Sequence, residues 1–190
     1  DQIIACQLNN GFDVINDIIL GPAEKNILFF KQMTHHLIDI DWGFMTKTLN
    51  ILLIRNPREI IASYSKVIPN PSIEDIGVAL QQKLYHYLNE NKALTAIVDA
   101  RDLLLNPAVM LEKICLLCDI PYLPTMLQWA AGPKDYDGIW APHWYAEVHR
   151  SDGFKPYIEK ETILPSHLEP LAAQCAPFYA ELIDKSLKVS

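Results

Sequence analysis

Three short, nearly continuous apolar runs mark the first hundred residues, and helical patterns separate them. The runs are NILFFKQM (residues 26–33), LNILLI (residues 49–54) and LTAIVDA (residues 94–100). Runs of this length without polar alternation are typical of strands that are buried on both faces, as in parallel sheets. Strands that alternate with helices predict an α/β fold with crossover connections.

The helical patterns have recognisable ends. Ser72 is placed as an N-cap, with Asp75 at the third following position, and Pro107 suits the first turn of a helix. Gly21 and Pro22 end the first pattern. The predicted helices cover residues 1–20, 58–67, 72–91, 107–118 and about 165–187.

A chain of 190 residues is long enough for one substantial core and shows no internal repeat. We therefore predict a single domain over residues 1–190. Its predicted parts are a helical lead-in (1–25), a strand and helix core (26–122), an ordered closing loop (123–160) and a C-terminal helix (161–190).

The formal net charge of −7 argues against nucleic acid or a membrane surface as a partner, because such proteins carry a basic stripe. A local pocket for a small anion needs only a few donors and stays possible. No apolar run approaches the roughly 18 residues of a membrane span, and no secretion leader is visible. The chain begins at Asp1 rather than Met, which is compatible with a fragment.

The four cysteines do not suggest a disulfide scaffold in a chain of this length, so we expect a reducing, cytoplasmic location. Cys115 and Cys118 form a C-x-x-C. This spacing suits redox or zinc chemistry, but no second pair completes a zinc tetrad. Two small apolar residues on a buried helix face are the favoured interpretation, and no metal is expected.

Two arginines, Arg55 and Arg58, stand where the second apolar run ends and a helix begins. In open α/β sheets, ligands bind at the carboxyl ends of the strands, where helix N-termini offer unpaired N–H groups. Arg55 adds a forked cationic donor, and Ser63 follows two helical turns later. These residues predict a phosphate site. On spacing alone, ion pairs of the arginines with Glu59 or an aspartate are an equal alternative.

Four segments resemble the sulfotransferase superfamily, and together they span roughly residues 26–157. RNPREIIASYSKV (residues 55–67) resembles its 3′-phosphate-binding element, with an Arg after a strand and a Ser eight residues later. IVDARDLLLNPAVMLEKICLLCDIPY (97–122) resembles a later strand, turn and helix, and WYAEVHRSDGFKPY (144–157) resembles the loop that closes over the nucleotide. FFKQMTHHL (29–37) resembles a strand end in a bacterial and plant branch that is sometimes labelled branched-chain-aminotransferase-like, although no Lys-centred pyridoxal phosphate motif accompanies it.

The resemblance implies a three-layer, P-loop-like α/β fold. It also implies 3′-phosphoadenosine 5′-phosphosulfate (PAPS) as co-substrate, with transfer of a sulfuryl group to a hydroxyl or amine of a small-molecule acceptor. Arg55 and Ser63 would hold the 3′-phosphate. The closing loop would contribute Ser151, Gly153 and Phe154, with Lys155 or Arg150 neutralising phosphate charge.

The sequence departs from the family pattern in three places. No strand followed by a Gly/Ser/Thr-rich loop is present for the 5′-phosphosulfate, so we expect a missing first strand and a gap in the sheet. Ala100 replaces a Tyr that commonly begins the family's Y-E-D-L, which puts one adenine contact in doubt. Met33 replaces a histidine that many members place two residues after Lys31.

His35 or His36 is a candidate general base, since a histidine pKa lies near the operating pH. Alternatively, one of them caps the strand end and the other faces solvent; this alternative is favoured for His36 and is equal to the base for His35. Lys31 would stabilise the departing oxygen, or it is a solvated strand-end lysine. One aromatic cluster either lines an acceptor pocket or packs the loop. It comprises Trp129, Tyr136, Trp140, His143, Trp144 and Tyr145.

Two other functions compete with a sulfotransferase. The chain is alternatively a non-catalytic nucleotide-binding or interaction domain that kept the fold, or a relative of P-loop small-molecule kinases. A Walker-type G-x-x-x-x-G-K-[ST] is absent from the sequence, which argues against the kinase. No residue pattern specifies the acceptor.

Overall fold

The computed structural model describes residues 5, 8–139, 141–159 and 161–189. Its centre is a pair of parallel strands, β1 (Asn50–Ile54) and β2 (Leu94–Asp99). They are paired directly, so that Ile54 lies beside Asp99 at the carboxyl end. Thr95 is bulged out between the first two pairs and its hydroxyl accepts a hydrogen bond from the backbone N–H of Asn50.

Nine α-helices of three or more residues are described. They are α1 (Gly11–Asp13, which continues as the π-helical Val14–Ile19), α2 (Pro57–Tyr64), α3 (Ile73–Ile76), α4 (Val78–Glu90), α5 (Ala100–Leu105), α6 (Pro107–Leu117), α7 (Ala141–Trp144), α8 (Ala146–His149) and α9 (Glu169–Asp184). Short 3-10 turns cover Thr34–His36, Trp42–Lys47, Pro124–Leu127 and Ser166–Leu168.

Helices pack against both faces of the sheet because the buried side chains of β2 alternate. Ile97 joins a cluster with Leu84 and Leu88 of α4 and Leu182 of α9. Its neighbours along the strand, Ala96 and Val98, pack with Met110 of α6 on the other face. A further cluster joins α2, α3, α4 and α9; its members are Ile61, Ile76, Val78, Leu164, Leu168, Ala172 and Cys175.

The last described residues cover β2. Leu187 donates its backbone N–H to the carbonyl of Ile97 (2.8 Å) and packs beside the cluster around Met110. The Lys188 ammonium bonds to the carbonyl of Ile183 (2.8 Å) and holds this tail against α9.

The predicted mixed α/β class is confirmed, with both later strands within one residue of their predicted ends. The Ser72–Asp75 capping box is present, but Gly77 adopts a left-handed conformation (φ 75°) and divides the predicted helix into α3 and α4. α5 was not predicted. The predicted closing loop contains α7 and α8.

Two expectations about the sheet are wrong. Residues 26–33 are not a strand; Ile27, Leu28, Phe29 and Phe30 are exposed and pair with no described strand. The expected gap is also absent, because β1 and β2 are hydrogen-bonded neighbours. Direct pairing satisfies backbone groups that a gap would have left unpaired.

Candidate functional site

A cleft opens at the carboxyl edge of the sheet. Arg55 directly follows β1, and Arg101 lies two residues beyond β2. Since the strands are parallel, both arginines reach the same edge. The cleft has a volume of about 350 Å³, and its lining residues are Arg55, Asn56, Arg58, Glu59, Arg101, Tyr157, Glu159, Glu161, Thr162 and Tyr179.

Arg55 is held by a carboxylate of α2, the helix that follows it. Its Nε and Nη2 atoms both lie 2.8 Å from Oε2 of Glu59, one helical turn further along. The other oxygen of Glu59 accepts a hydrogen bond from the Tyr157 phenol (2.9 Å), which raises the pKa of Tyr157. The ion pair that the sequence offered as an alternative is therefore present, and it leaves half of the Arg55 side chain exposed.

Arg101 contacts two residues near the end of the closing loop, Tyr157 and Glu159. Its Nη2 atom lies 3.3 Å from Oε1 of Glu159, and its guanidinium carbon lies 5.7 Å from the ring centre of Tyr157. The charge of Glu159 raises the pKa of Arg101. Asp102 is a further, looser partner at 3.7 Å.

Arg58 has a structural role. It binds both carboxylate oxygens of Glu169, at 2.7 and 2.8 Å, and donates twice to the carbonyl of Thr162. This forked contact joins the start of α2 to the start of α9 and lowers the pKa of Glu169. Its donors are therefore committed to the protein.

Asp99 is a buried carboxylate at the end of β2, hydrogen-bonded to the cleft residue Tyr179. It accepts hydrogen bonds from the backbone N–H groups of Arg101 (2.9 Å) and Asp102 (3.4 Å), and so caps α5. The phenol of Tyr179 donates to its second oxygen. This arrangement fixes the backbone that carries Arg101.

Three arginines and three glutamates line the cleft, so their formal charges cancel. The donors are of the type that binds phosphate, because a guanidinium matches two phosphate oxygens. The carboxylates compete for the same donors. An anionic ligand therefore needs at least one glutamate to give way.

The residues predicted to hold the 3′-phosphate occupy different settings. Arg55 lines the cleft, whereas Ser63 is exposed in the last turn of α2 and is not among the lining residues. The Asn56 side chain accepts from the backbone N–H of Arg58 and so caps the helix start. Shared binding of one phosphate by Arg55 and Ser63 remains a prediction.

The closing-loop residues lie beside one another outside the cleft lining. Ser151 accepts a hydrogen bond from the Trp129 indole (3.0 Å), and Phe154 packs edge-to-face on the same ring. Gly153 pairs with Gln128 in an isolated antiparallel bridge, where a Cβ would lie 3.0 Å from the Leu127 carbonyl.

Two cations of the closing loop share one partner. Arg150 and Lys155 both contact Glu147, at 2.8 and 3.7 Å, and all three side chains are exposed. Their predicted contact with a nucleotide phosphate remains a prediction.

Lys31, His35 and His36 are exposed and do not line the cleft. The two histidines form a 3-10 turn with Thr34, and their rings meet edge-to-face with centroids 4.7 Å apart. Partial burial, with the charges of His35 and Lys31, lowers the pKa of His36. A histidine with a lowered pKa is neutral at pH 7 and available as a base.

The described aromatic residues of the loop pack against the loop itself or face solvent. Trp129 packs on Phe154, Tyr145 meets His149 edge-to-face, and Tyr136 is exposed. His149 also pairs with Asp137 at 2.9 Å. Trp140 and the side chains of His143 and Trp144 lie outside the described part of the chain.

The C-x-x-C lies at the end of α6. Cys115 is buried there, and burial raises the pKa of the half-buried Cys118, which favours the thiol over a reactive thiolate. Within the described ranges, no three His, Cys, Asp or Glu side chains form a group suited to a metal ion. None of the described helices has the length and apolar character needed to cross a membrane.

Several residues of the cleft were not predicted from the sequence. Arg101 follows a strand just as Arg55 does, so the rule that selected Arg55 would also have found it. Tyr157, Glu159 and Tyr179 gave no comparable local signal, because their partners are distant in the chain.

A sequence model of the sulfotransferase domain matches residues 1–186. The chain belongs to the sulfotransferase domain family. The cleft just described is thus the carboxyl-edge cleft of a sulfotransferase domain.

Two curated proteins of Arabidopsis thaliana are similar to this sulfotransferase domain. They are Branched-chain-amino-acid aminotransferase-like protein 2, which is 33% identical over 180 residues, and Branched-chain-amino-acid aminotransferase-like protein 1, which is 33% identical over 181 residues. Each match covers 94% of this chain and 32% of the relative, so the chain spans about a third of their length. No solved structure matches the chain.

Proposed function

We propose that the cleft binds the phosphorylated end of PAPS and that the protein transfers its sulfuryl group to a hydroxyl or amine of a small acceptor. The observation that carries the proposal is the convergence of Arg55 and Arg101 at the carboxyl edge of two parallel strands in a sulfotransferase domain. A cleft of about 350 Å³ is within the usual range for a small-ligand site.

In this reaction the bond between sulfur and the phosphate oxygen breaks, and the acceptor oxygen or nitrogen forms a new bond to sulfur. The acceptor proton passes to a base, and adenosine 3′,5′-bisphosphate leaves. We propose His35 as the base, with His36 as its alternative, and Lys31 as the cation that stabilises the leaving oxygen. The lowered pKa of His36 supports a neutral imidazole in this turn. We further propose that the chain is one domain and that the protein works in the cytoplasm.

Calorimetry with adenosine 3′,5′-bisphosphate tests binding. Loss of the charged hydrogen bonds in Arg55→Ala should weaken binding by about 1.5–3 kcal/mol. Lys83→Ala, which removes an exposed cation from α4, is the matched control and should leave affinity unchanged. Absence of binding by the full-length, folded protein would contradict the proposal.

A second candidate is a nucleotide-binding or interaction domain without catalysis. One observation favours it: Lys31, His35 and His36 are not among the cleft-lining residues. A sulfuryl-transfer assay with PAPS and a panel of phenols, alcohols and amines separates the two. Binding of the bisphosphate without transfer to any member of the panel supports the second candidate.

A further inference from the structure

Three residues at or just after the end of the closing loop cross the cleft with three contacts, two to α2 and one to α5. The Tyr157 phenol reaches Glu59, Glu159 reaches Arg101, and the carbonyl of Thr162 reaches Arg58. Each contact either binds a cleft arginine or binds the carboxylate that holds one. The arginines are therefore occupied by the protein's own acceptors.

These contacts differ in how readily an anion would displace them. Glu169 and Thr162 together engage Nε, Nη1 and Nη2 of Arg58. Glu59 is mostly buried, with 14% of its side chain exposed, and uses both oxygens. Glu159 is 78% exposed and makes a single 3.3 Å contact with Arg101. Exposed ion pairs of that kind contribute little to stability, so Glu159 is the one that can leave.

We infer that Glu159 is a competitor that occupies Arg101 in the unliganded protein and is displaced by the anionic group of the ligand. This deepens the proposed function and rests on it, because it names the competitor in the same cleft. A phosphate monoester carries nearly two negative charges at pH 7 and outcompetes a carboxylate for a guanidinium. Singly charged anions lack this advantage. Glu159 thereby weakens the binding of any anion that must displace it from Arg101.

Glu59 has the complementary role of a positioning residue. It fixes the direction of the Arg55 guanidinium from the protein side while half of that side chain stays open to solvent. Tyr157 bonds to Glu59 and also lies under Arg101. Departure of Glu159 therefore frees Arg101 without disturbing Arg55.

The experiment compares wild type, Glu159→Gln and Glu112→Gln by calorimetry, with inorganic pyrophosphate and adenosine 3′,5′-bisphosphate as separate probes. Glu112 lies on an exposed face of α6 and is the matched control for loss of one negative charge. Because the pair of Glu159 with Arg101 is exposed and weak, we expect Glu159→Gln to lower the dissociation constants of both probes about two- to fivefold. Glu112→Gln should leave both unchanged.

Arg101→Ala distinguishes a specific pair from general repulsion. In the Arg101→Ala background, Glu159→Gln should no longer alter affinity, because the guanidinium for which Glu159 and the ligand compete is absent. Amide hydrogen exchange of residues 157–159 should also be faster in Glu159→Gln than in wild type without any ligand.

The outcomes separate this inference from the proposed function. Tighter pyrophosphate binding by Glu159→Gln, with no bisphosphate binding by any variant, supports the displacement of Glu159 and overturns the proposal that the cleft binds the nucleotide. Equal affinities of wild type and Glu159→Gln for a probe that binds overturn the displacement and leave the nucleotide intact. Failure of both probes to bind either protein overturns both.

Discussion

The phenol of Tyr179 donates a 2.7 Å hydrogen bond to the carboxylate of Asp99, which is 1% exposed. This bond joins α9 to the end of β2, 80 residues away. Burial and the hydrogen bond to Asp99 raise the pKa of Tyr179, so the phenol stays a donor at physiological pH. The carboxylate supports the cleft through its bonds to the backbone of α5.

Tyr179→Phe removes one bond from a buried carboxylate and leaves the ring in place. We expect a loss of about 1–3 kcal/mol in the free energy of unfolding, because the Asp99 oxygen loses its partner. Urea denaturation measures this loss. Tyr136→Phe removes the hydroxyl of an exposed tyrosine and should change stability by less than about 0.5 kcal/mol. Equal effects of both substitutions would contradict the role of Asp99.

Glu169→Gln tests the contact that joins α2 and α9. The hydrogen bond from Arg58 lowers the pKa of Glu169 in the folded protein. Between the folded and the unfolded pKa of this group, the unfolded state therefore binds more protons than the native state. The stabilisation is fully present above that unfolded pKa and is lost as the pH falls through the folded pKa.

The melting temperature should therefore be lower in Glu169→Gln than in wild type at pH 7, and the difference should shrink as the pH falls below about 4. Thermal melts between pH 3 and pH 7 measure it. Glu112→Gln is the control, with no expected difference at either end. A difference in melting temperature that stays constant between pH 3 and pH 7 would show that the charge of Glu169 does not contribute to stability.

Gly77→Ala tests the link between the break in the predicted helix and the histidine turn. Gly77 has φ 75°, and a Cβ there would lie 2.7 Å from Oγ1 of Thr34. We expect a loss of about 1–2 kcal/mol from the left-handed conformation, together with displacement of the turn. Gly132 also has positive φ, but a Cβ there would meet no described atom within 4 Å.

Gly132→Ala is the matched control. Gly77→Ala and Gly132→Ala should both lower the free energy of unfolding. Only Gly77→Ala should shift the imidazole NMR signals of His35 and His36. Unchanged imidazole signals in Gly77→Ala would show that the helix break at Gly77 does not position the histidine turn.

His35→Ala should lower sulfuryl transfer by the full-length protein about 100-fold or more, and His36→Ala should lower it less. The exposed His167→Ala is the control. In addition, the pKa of His36 should rise in His35→Ala, since one charge that lowers it is removed. NMR titration measures this change independently of activity. Wild-type turnover in both His35→Ala and His36→Ala would remove histidine from the mechanism.

Features fixed by neighbouring residues were predictable from the sequence. The capping box of Ser72 and Asp75 and the ends of β1 and β2 follow local rules. The pair of Arg55 with Glu59 was one of two equal alternatives, and its residues are neighbours along the chain, four positions apart. The false strand at residues 26–33 arose because apolar character alone does not supply a neighbouring strand with which to pair.

The rest of the cleft is built from contacts between distant parts of the chain. Arg101 meets Glu159 across 58 residues, Tyr157 meets Glu59 across 98, and Arg58 meets Glu169 across 111. No spacing rule connects such residues, because the three-dimensional fold brings them together. The sequence located Arg55 and Arg58 at the strand end and offered Glu59 as a partner, but it did not reveal Arg101 or the carboxylates of Glu159 and Glu169.

The hydrogen bond from Leu187 to Ile97 also determines the direction in which the sheet can grow. Leu187 takes a carbonyl of β2 that an incoming strand would need, so the tail protects that edge against pairing with another chain. The opposite edge belongs to β1, where a side chain, the Gln81 amide, donates to the carbonyl of Leu53 (3.0 Å) and is more easily displaced than a backbone segment. An additional strand, from this protein or another, would therefore extend the sheet from β1, on the side away from the tail.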